Sequence, residues 1–186
     1  MATDLDQPRL TAEQFLQIEF GPDIKAELDN GVIRMMVGGS RDHARIQMNL
    51  YRYLGTALRG SGCRPYGSDM AIKTAAGSVR YPDLTIDRGK AGNDKPQDQI
   101  LSNLRVIIEV LSPGTSRIDQ GDKLYAYKAI ATIDAIAFVD PETTHLRVLH
   151  RTGATAWSDV TFSTAADLEL PTLGLVVPHA EMFADD

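Results

Sequence analysis

The stretch Leu104-Arg-Val-Ile-Ile-Glu-Val-Leu111 decides the architecture. It is a nearly continuous apolar run too short for a buried helix and bounded by turn-forming residues, which is the pattern of a strand covered on both faces. Such a strand belongs at the centre of a sheet. Ser112-Pro-Gly-Thr115 stops it, and the segment from about Ser116 to Ala131 reads as a helix that packs back on the sheet. Ile133 to Val139 then supplies another buried strand, and His145 to His150 and Ala154 to Phe162 complete the sheet.

Working back from the central run, Gly89 to Asp98 is rich in Gly, Asn, Asp and Pro and reads as a surface loop. Val79 to Asp87 and Cys63 to Lys73 read as two strands joined by Thr74-Ala-Ala-Gly-Ser78. Before them, Ser40 is placed to cap a helix reaching about Arg59, with Ile46, Leu50, Leu54 and Ala57 on one apolar face. At 100° per residue Arg41, Arg45, Arg52 and Arg59 fall on one opposite stripe, either a solvated face or a local basic patch. Asn30-Gly31 between Ile24–Leu28 and Val32–Val37 is a hairpin signal. Thr11 with Gln14 three residues later predicts a capping box on a short N-terminal helix.

The 186 residues suit one domain, residues 1–186, with its core at about 24–150. At 43% hydrophobic and 24% charged the composition excludes a disordered or fibrous chain, and no apolar run is long enough to cross a bilayer. The N-terminus is acidic where a signal peptide is basic, and a single cysteine permits no internal disulfide, so a cytoplasmic protein is expected. A net charge of −6 excludes nucleic-acid binding by bulk electrostatics and leaves only a local patch for it.

Glu109 is the most informative residue, because an ionised carboxylate inside the buried run costs several kcal/mol (roughly) without a partner. That partner is either a structural Arg or Lys or a divalent cation. Asp83, after Pro82 and alternating with Leu84 and Ile86, adds a second carboxylate on the neighbouring strand. Two such oxygen donors suit a hard cation such as Mg²⁺. Lys123 lies on the following helix with Asp119 and Tyr127 one turn to either side; it is either a solvated lysine or an ammonium aimed at the carboxylates. His145 and His150 have opposite strand parity, which disfavours zinc, and no phosphate-binding glycine loop or Ser-His-Asp arrangement occurs in its required context.

Leu10-Thr-Ala-Glu-Gln-Phe15, Ala26-Glu-Leu-Asp-Asn-Gly31, Tyr81-Pro-Asp-Leu-Thr85, Ile108-Glu-Val-Leu-Ser-Pro-Gly-Thr115, Gly121-Asp-Lys-Leu-Tyr-Ala-Tyr127 and Val139-Asp-Pro141 together resemble the Uma-two family of restriction-endonuclease-like proteins in the PD-(D/E)XK nuclease superfamily. Leu170 to Pro178 resembles the family's C-terminal ending. The resemblance covers most of the chain. It implies an α/β (α+β) restriction-endonuclease-like fold, a mixed central sheet flanked by helices with an N-terminal hairpin. It also implies a Mg²⁺- or Mn²⁺-dependent endonuclease acting on nucleic acid, expected to be DNA, with catalytic Asp83, Glu109 and Lys123 and metal ligands Asp83, Glu109 and Glu27.

The superfamily's lysine, two positions after the second acid, is Leu111 here, and Lys123 is its natural replacement. Glu27 shares a strand face with Lys25 and Asp29, which a plain polar face explains equally well. His43, on the apolar side of its helix, is either buried or turned to substrate, with Arg41 and Arg45 as further substrate contacts. Cutting both strands of a duplex needs two sites, so a homodimer is expected. The alternative is a degenerate nuclease fold serving as a nucleic-acid-binding or oligomeric scaffold.

Overall fold

A computed structural model describes residues 9–89, 95, 97–112 and 118–185, with backbone alone for 118–120. Thr11 caps α1 (Ala12–Leu16): its hydroxyl accepts the Gln14 N–H, and the Gln14 side chain accepts the Thr11 N–H in return. β1 (Ala26–Asp29) and β2 (Val32–Met35) form the expected hairpin. Asn30 and Gly31 sit at φ 49° and 84°, the positive values that a two-residue turn needs to match the strand twist. Ser40 caps α2 (Arg41–Ala57), which buries Ile46, Leu50 and Leu54.

The strands that follow are β3 (Cys63–Gly67), β4 (Ala71–Lys73), β5 (Val79–Arg80), β6 (Leu84–Arg88), β7 (Ile100–Leu101) and β8 (Leu104–Val110). Next come α3 (Ile118–Lys128), β9 (Ala135–Asp140), β10 (His145–Arg151) and β11 (Trp157–Thr161). The described chain closes with β12 (Leu168–Leu170), a single 3₁₀ turn, β13 (Leu175–Val177) and α4 (His179–Met182).

The large sheet runs β11-β10-β9-β8-β6-β3, so the apolar run is central, as predicted. β8 and β9 are parallel with α3 in the connection between them, while the other pairs are antiparallel, which makes the sheet mixed. α2 and the C-terminal elements cover one face through Leu50, Leu54, Ile108 and Val148. α3 covers the other through Leu124 and Tyr127 against Ile107, Ile136 and Phe138. A second sheet, β2-β1-β5-β4-β7, packs with α1 around Leu28, Phe15 and Val79.

Two expected strands are each broken in two. Cys63 to Lys73 turns at Gly67, where the Met70 N–H bonds back to the Gly67 carbonyl, and its halves join different sheets. Val79 to Asp87 breaks at Tyr81-Pro82-Asp83, because Pro82 has no N–H for a ladder and the Tyr81 N–H is taken by the Glu27 side chain. This break matters for function, since it leads the chain from the small sheet into the large one beside Glu109. Residues 90–94, 96 and 116–117 of the expected loop and helix lie outside the described residues.

Candidate active site

The site forms where the ends of β6 and β8 meet α2, α3 and the small sheet. Leu84 pairs with Ile108, so Asp83, just ahead of β6, lies beside Glu109 on β8. The Asp83 N–H donates to Glu109 Oε2 at 3.3 Å, and Asp83 Oδ2 accepts the Val110 N–H at 2.8 Å. Oδ1 accepts from Gln47 Nε2 at 2.7 Å and lies 3.1 Å from His43 Nε2. Residues 43 and 47 are one helical turn apart, so α2 delivers both to the same oxygen. His43 is therefore half-buried against Asp83, and its hydrogen bond with that carboxylate raises its pKa despite the opposing cost of burial.

Glu109 is buried on the α3 side. Tyr127 donates to its Oε1 at 2.6 Å, and Lys123 Nζ lies 3.7 Å from the same oxygen. Burial pushes the Glu109 carboxyl up to about 7; Lys123 pulls it down, Asp83 pushes it up, and the Tyr127 hydrogen bond lowers it while Glu27 raises it. Tyr127 is itself held well above the ordinary phenol range by burial and by Glu109.

Glu27 does not lie on the solvated polar face that strand alternation allowed. It is buried with Asp29 around Arg80, which is 4% exposed. Arg80 donates to Glu27 Oε2 at 3.2 Å and pairs with Asp29, whose other oxygen accepts from Arg34 at 2.6 Å. Glu27 Oε1 accepts the Tyr81 N–H at 3.0 Å, and Lys123 Nζ approaches Oε2 to 3.7 Å. Among the described residues no three His, Cys, Asp or Glu groups converge as a cation cage. The structure thus brings Asp83 and Glu109 together, places Lys123 between Glu109 and Glu27, and turns the Glu27 carboxylate toward Arg80.

These groups line a cleft of about 550 Å³ with Met35, Met36 and Val37 along its rim. Leu111 also lines it, so the only amine at this wall of the cleft among the described residues comes from α3. The charges on its floor are unevenly matched. Arg80 and Arg34 answer Glu27 and Asp29, whereas Asp83 meets His43 at 3.1 Å and Glu109 meets Lys123 at 3.7 Å. Glu109 is buried and Asp83 partly exposed, and both present the hard oxygens that a divalent cation takes.

The middle of the arginine stripe of α2 meets the C-terminal segment. Arg45 donates to the Ala184 carbonyl at 3.3 Å and to Asp42 at 2.9 Å and pairs with Asp185, Arg52 pairs with Glu181 at 3.7 Å, and Asn49 holds the Met182 and Ala184 carbonyls. The middle of the stripe is an anchor for the C-terminal segment; Arg41, at the start of α2, is exposed. Gln47 and Arg80 were not singled out from sequence. The i, i+4 spacing from His43 was a usable signal for Gln47; for Arg80 there was none, because its partners are more than 50 residues away.

Comparison with known proteins agrees with this fold. The chain is 27% identical over 169 residues to the uncharacterized protein slr1290 of Synechocystis, covering 90% of this chain and 88% of that one. It is 26% identical over 149 residues to the uncharacterized protein sll1609 of the same organism, covering 80% and 84%. The crystal structure of "a putative nuclease belonging to DUF820" from Anabaena variabilis superposes with a TM-score of 0.76 over 94% of this chain and 98% of that one, at 16% identity, and so shares the fold. Residues 12–180 match the family described as "Uma2: Putative restriction endonuclease", and with most of its length inside that match the chain belongs to the Uma2 family.

Proposed function

We propose that this protein is a divalent-metal-dependent endonuclease that hydrolyses phosphodiester bonds in DNA. The observation that carries the reading is the contact of Asp83 with Glu109 at the ends of two adjacent strands, with the Lys123 ammonium 3.7 Å from the same Glu109 carboxylate. Membership of a nuclease-like family supports it.

Asp83 and Glu109 fit Mg²⁺ or Mn²⁺ as ligands: both present hard oxygens, and burial, with Asp83 close by, holds the Glu109 carboxyl up at about 7. A cation held there would polarise a phosphodiester and acidify an attacking water. The chain's own groups supply the rest. Val110, Gln47 and His43 fix the Asp83 carboxylate, and Tyr127 fixes that of Glu109. Lys123 places positive charge where a phosphate oxygen gains negative charge in the transition state.

The test is cleavage of supercoiled plasmid in Mn²⁺ or Mg²⁺ by the intact protein, Asp83→Asn and Lys123→Met, each checked for folding by circular dichroism. Nicking that needs the cation and disappears in both variants is the expected result. DNA binding without cation-stimulated cleavage by the intact protein would replace this reading with that of a scaffold domain.

A further inference from the structure

We infer that Glu27 acts as a positioning residue for Lys123, in place of the third metal ligand that its place in the sequence suggested. The inference rests on the reading of Lys123 given above. Both Glu27 oxygens are engaged by donors that cannot move away. Oε1 accepts a backbone N–H from Tyr81, and Oε2 accepts Nη1 of Arg80, a guanidinium buried between Glu27 and Asp29. A carboxylate tied down on both oxygens is a poor candidate to swing toward a cation held by Asp83, but a firm support for a neighbour.

That neighbour is Lys123. Its Nζ lies 3.7 Å from Glu27 Oε2 and 3.7 Å from Glu109 Oε1, so it spans the two carboxylates from the turn of α3 that faces the cleft. Both separations exceed hydrogen-bonding length, so Glu27 acts on the ammonium through charge and not through a hydrogen bond. A lysine side chain has four rotatable carbon–carbon bonds and loses rotamer freedom when fixed. The Glu27–Glu109 pair offsets that cost before substrate arrives. Leu111 gives the reason for such a device: a lysine on the central strand would be held by the sheet, whereas one from α3 needs a second anchor, which the small sheet supplies through β1 and β5.

The experiment compares the intact protein, Glu27→Gln and Asp83→Asn in two measurements. The first is Mn²⁺ binding by calorimetry. The second is the rate of Lys123 acetylation by limiting acetic anhydride, read by mass spectrometry against the exposed Lys73. In Glu27→Gln the Lys123 rate rises roughly fivefold or more, the factor that loss of one ion-pair contact supports. Its Mn²⁺ affinity stays within roughly threefold, well inside the roughly hundredfold or greater loss expected on removing a ligand. Loss of Mn²⁺ binding in Glu27→Gln to the extent seen in Asp83→Asn, or an unchanged Lys123 rate, overturns the inference. If Glu27→Gln does not fold, Glu27→Gln combined with Arg80→Met removes the charge together with its buried partner, and the same outcomes apply. If the intact protein binds no Mn²⁺, the metal-site reading fails by itself, and the acetylation rates alone decide the role of Glu27.

Discussion

Two pairs of carboxylates face one cleft and are treated in opposite ways. Glu27 and Asp29, on the small sheet, close around the buried Arg80, with Arg34 completing the neutralisation. Asp83 and Glu109, at the ends of the large sheet's strands, have no buried guanidinium between them among the described residues and meet His43 at 3.1 Å and Lys123 at 3.7 Å. Burial is similar for Glu27 and Glu109, at 5% and 8% exposed, so burial does not separate the pairs. Counter-charge does. A carboxylate pair closed around a buried guanidinium is tied up within the fold, while the pair met by a histidine and a lysine is the one proposed as the cation site.

The largest expected effect comes from breaking the pair on the large sheet. Asp83→Asn removes one of two oxygen ligands, and Mn²⁺ affinity measured by calorimetry should fall by roughly a hundredfold or more, beyond the 10–100-fold effect of losing a mere outer contact. Its stability should change little by comparison. The reverse holds on the small sheet: Arg80→Met leaves two buried carboxylates without their main partner and should cost about 3–5 kcal/mol in urea unfolding. If Arg80→Met proves mild, the claim that the small-sheet pair is structural fails.

A titration sharpens the contrast. Glu109 is held near 7, above its unfolded value, so between the two values the folded state binds more protons than the unfolded state. The stability this contributes is fully present below the unfolded value near 4.5 and is lost as the pH rises through about 7. Unfolding of the metal-free protein should therefore become easier across this window, by at most about 1.4 kcal/mol per pH unit for one proton. Glu109→Gln should flatten the slope, and a slope that survives this substitution would assign it elsewhere. The smallest effect is expected from Ser40→Ala, which removes the cap of α2 and should cost about 1 kcal/mol. Through Gln47 and His43 it should loosen Asp83 and leave the Glu27 cluster untouched, which a small drop in Mn²⁺ affinity without faster Lys123 acetylation would show.

Much of the frame was legible in local pattern. Thr11 with Gln14, Asn30 with Gly31, and the apolar period after Ser40 each encode a structure completed within a few residues. The continuous run at Leu104 encodes a strand that must be central because both its faces are apolar. Glu109 announced itself because charge in such a run requires an explanation. Proline at 82 was also visible, yet its consequence was not, since alternation continues across it as if one strand ran from Val79 to Asp87.

The sequence by itself determined the hairpin, the capped helices and the central strand with its buried Glu109, because each follows from periodicity or chain sterics over a short span. Only the tertiary structure decided which carboxylate meets which cation. Arg80 finds Glu27 across 53 positions, Gln47 finds Asp83 across 36, and the arginines of α2 meet the C-terminal segment across more than a hundred. Such pairings depend on how two sheets and two helices are placed, and every Asp, Glu, Lys and Arg looks alike until burial and distance select its partner.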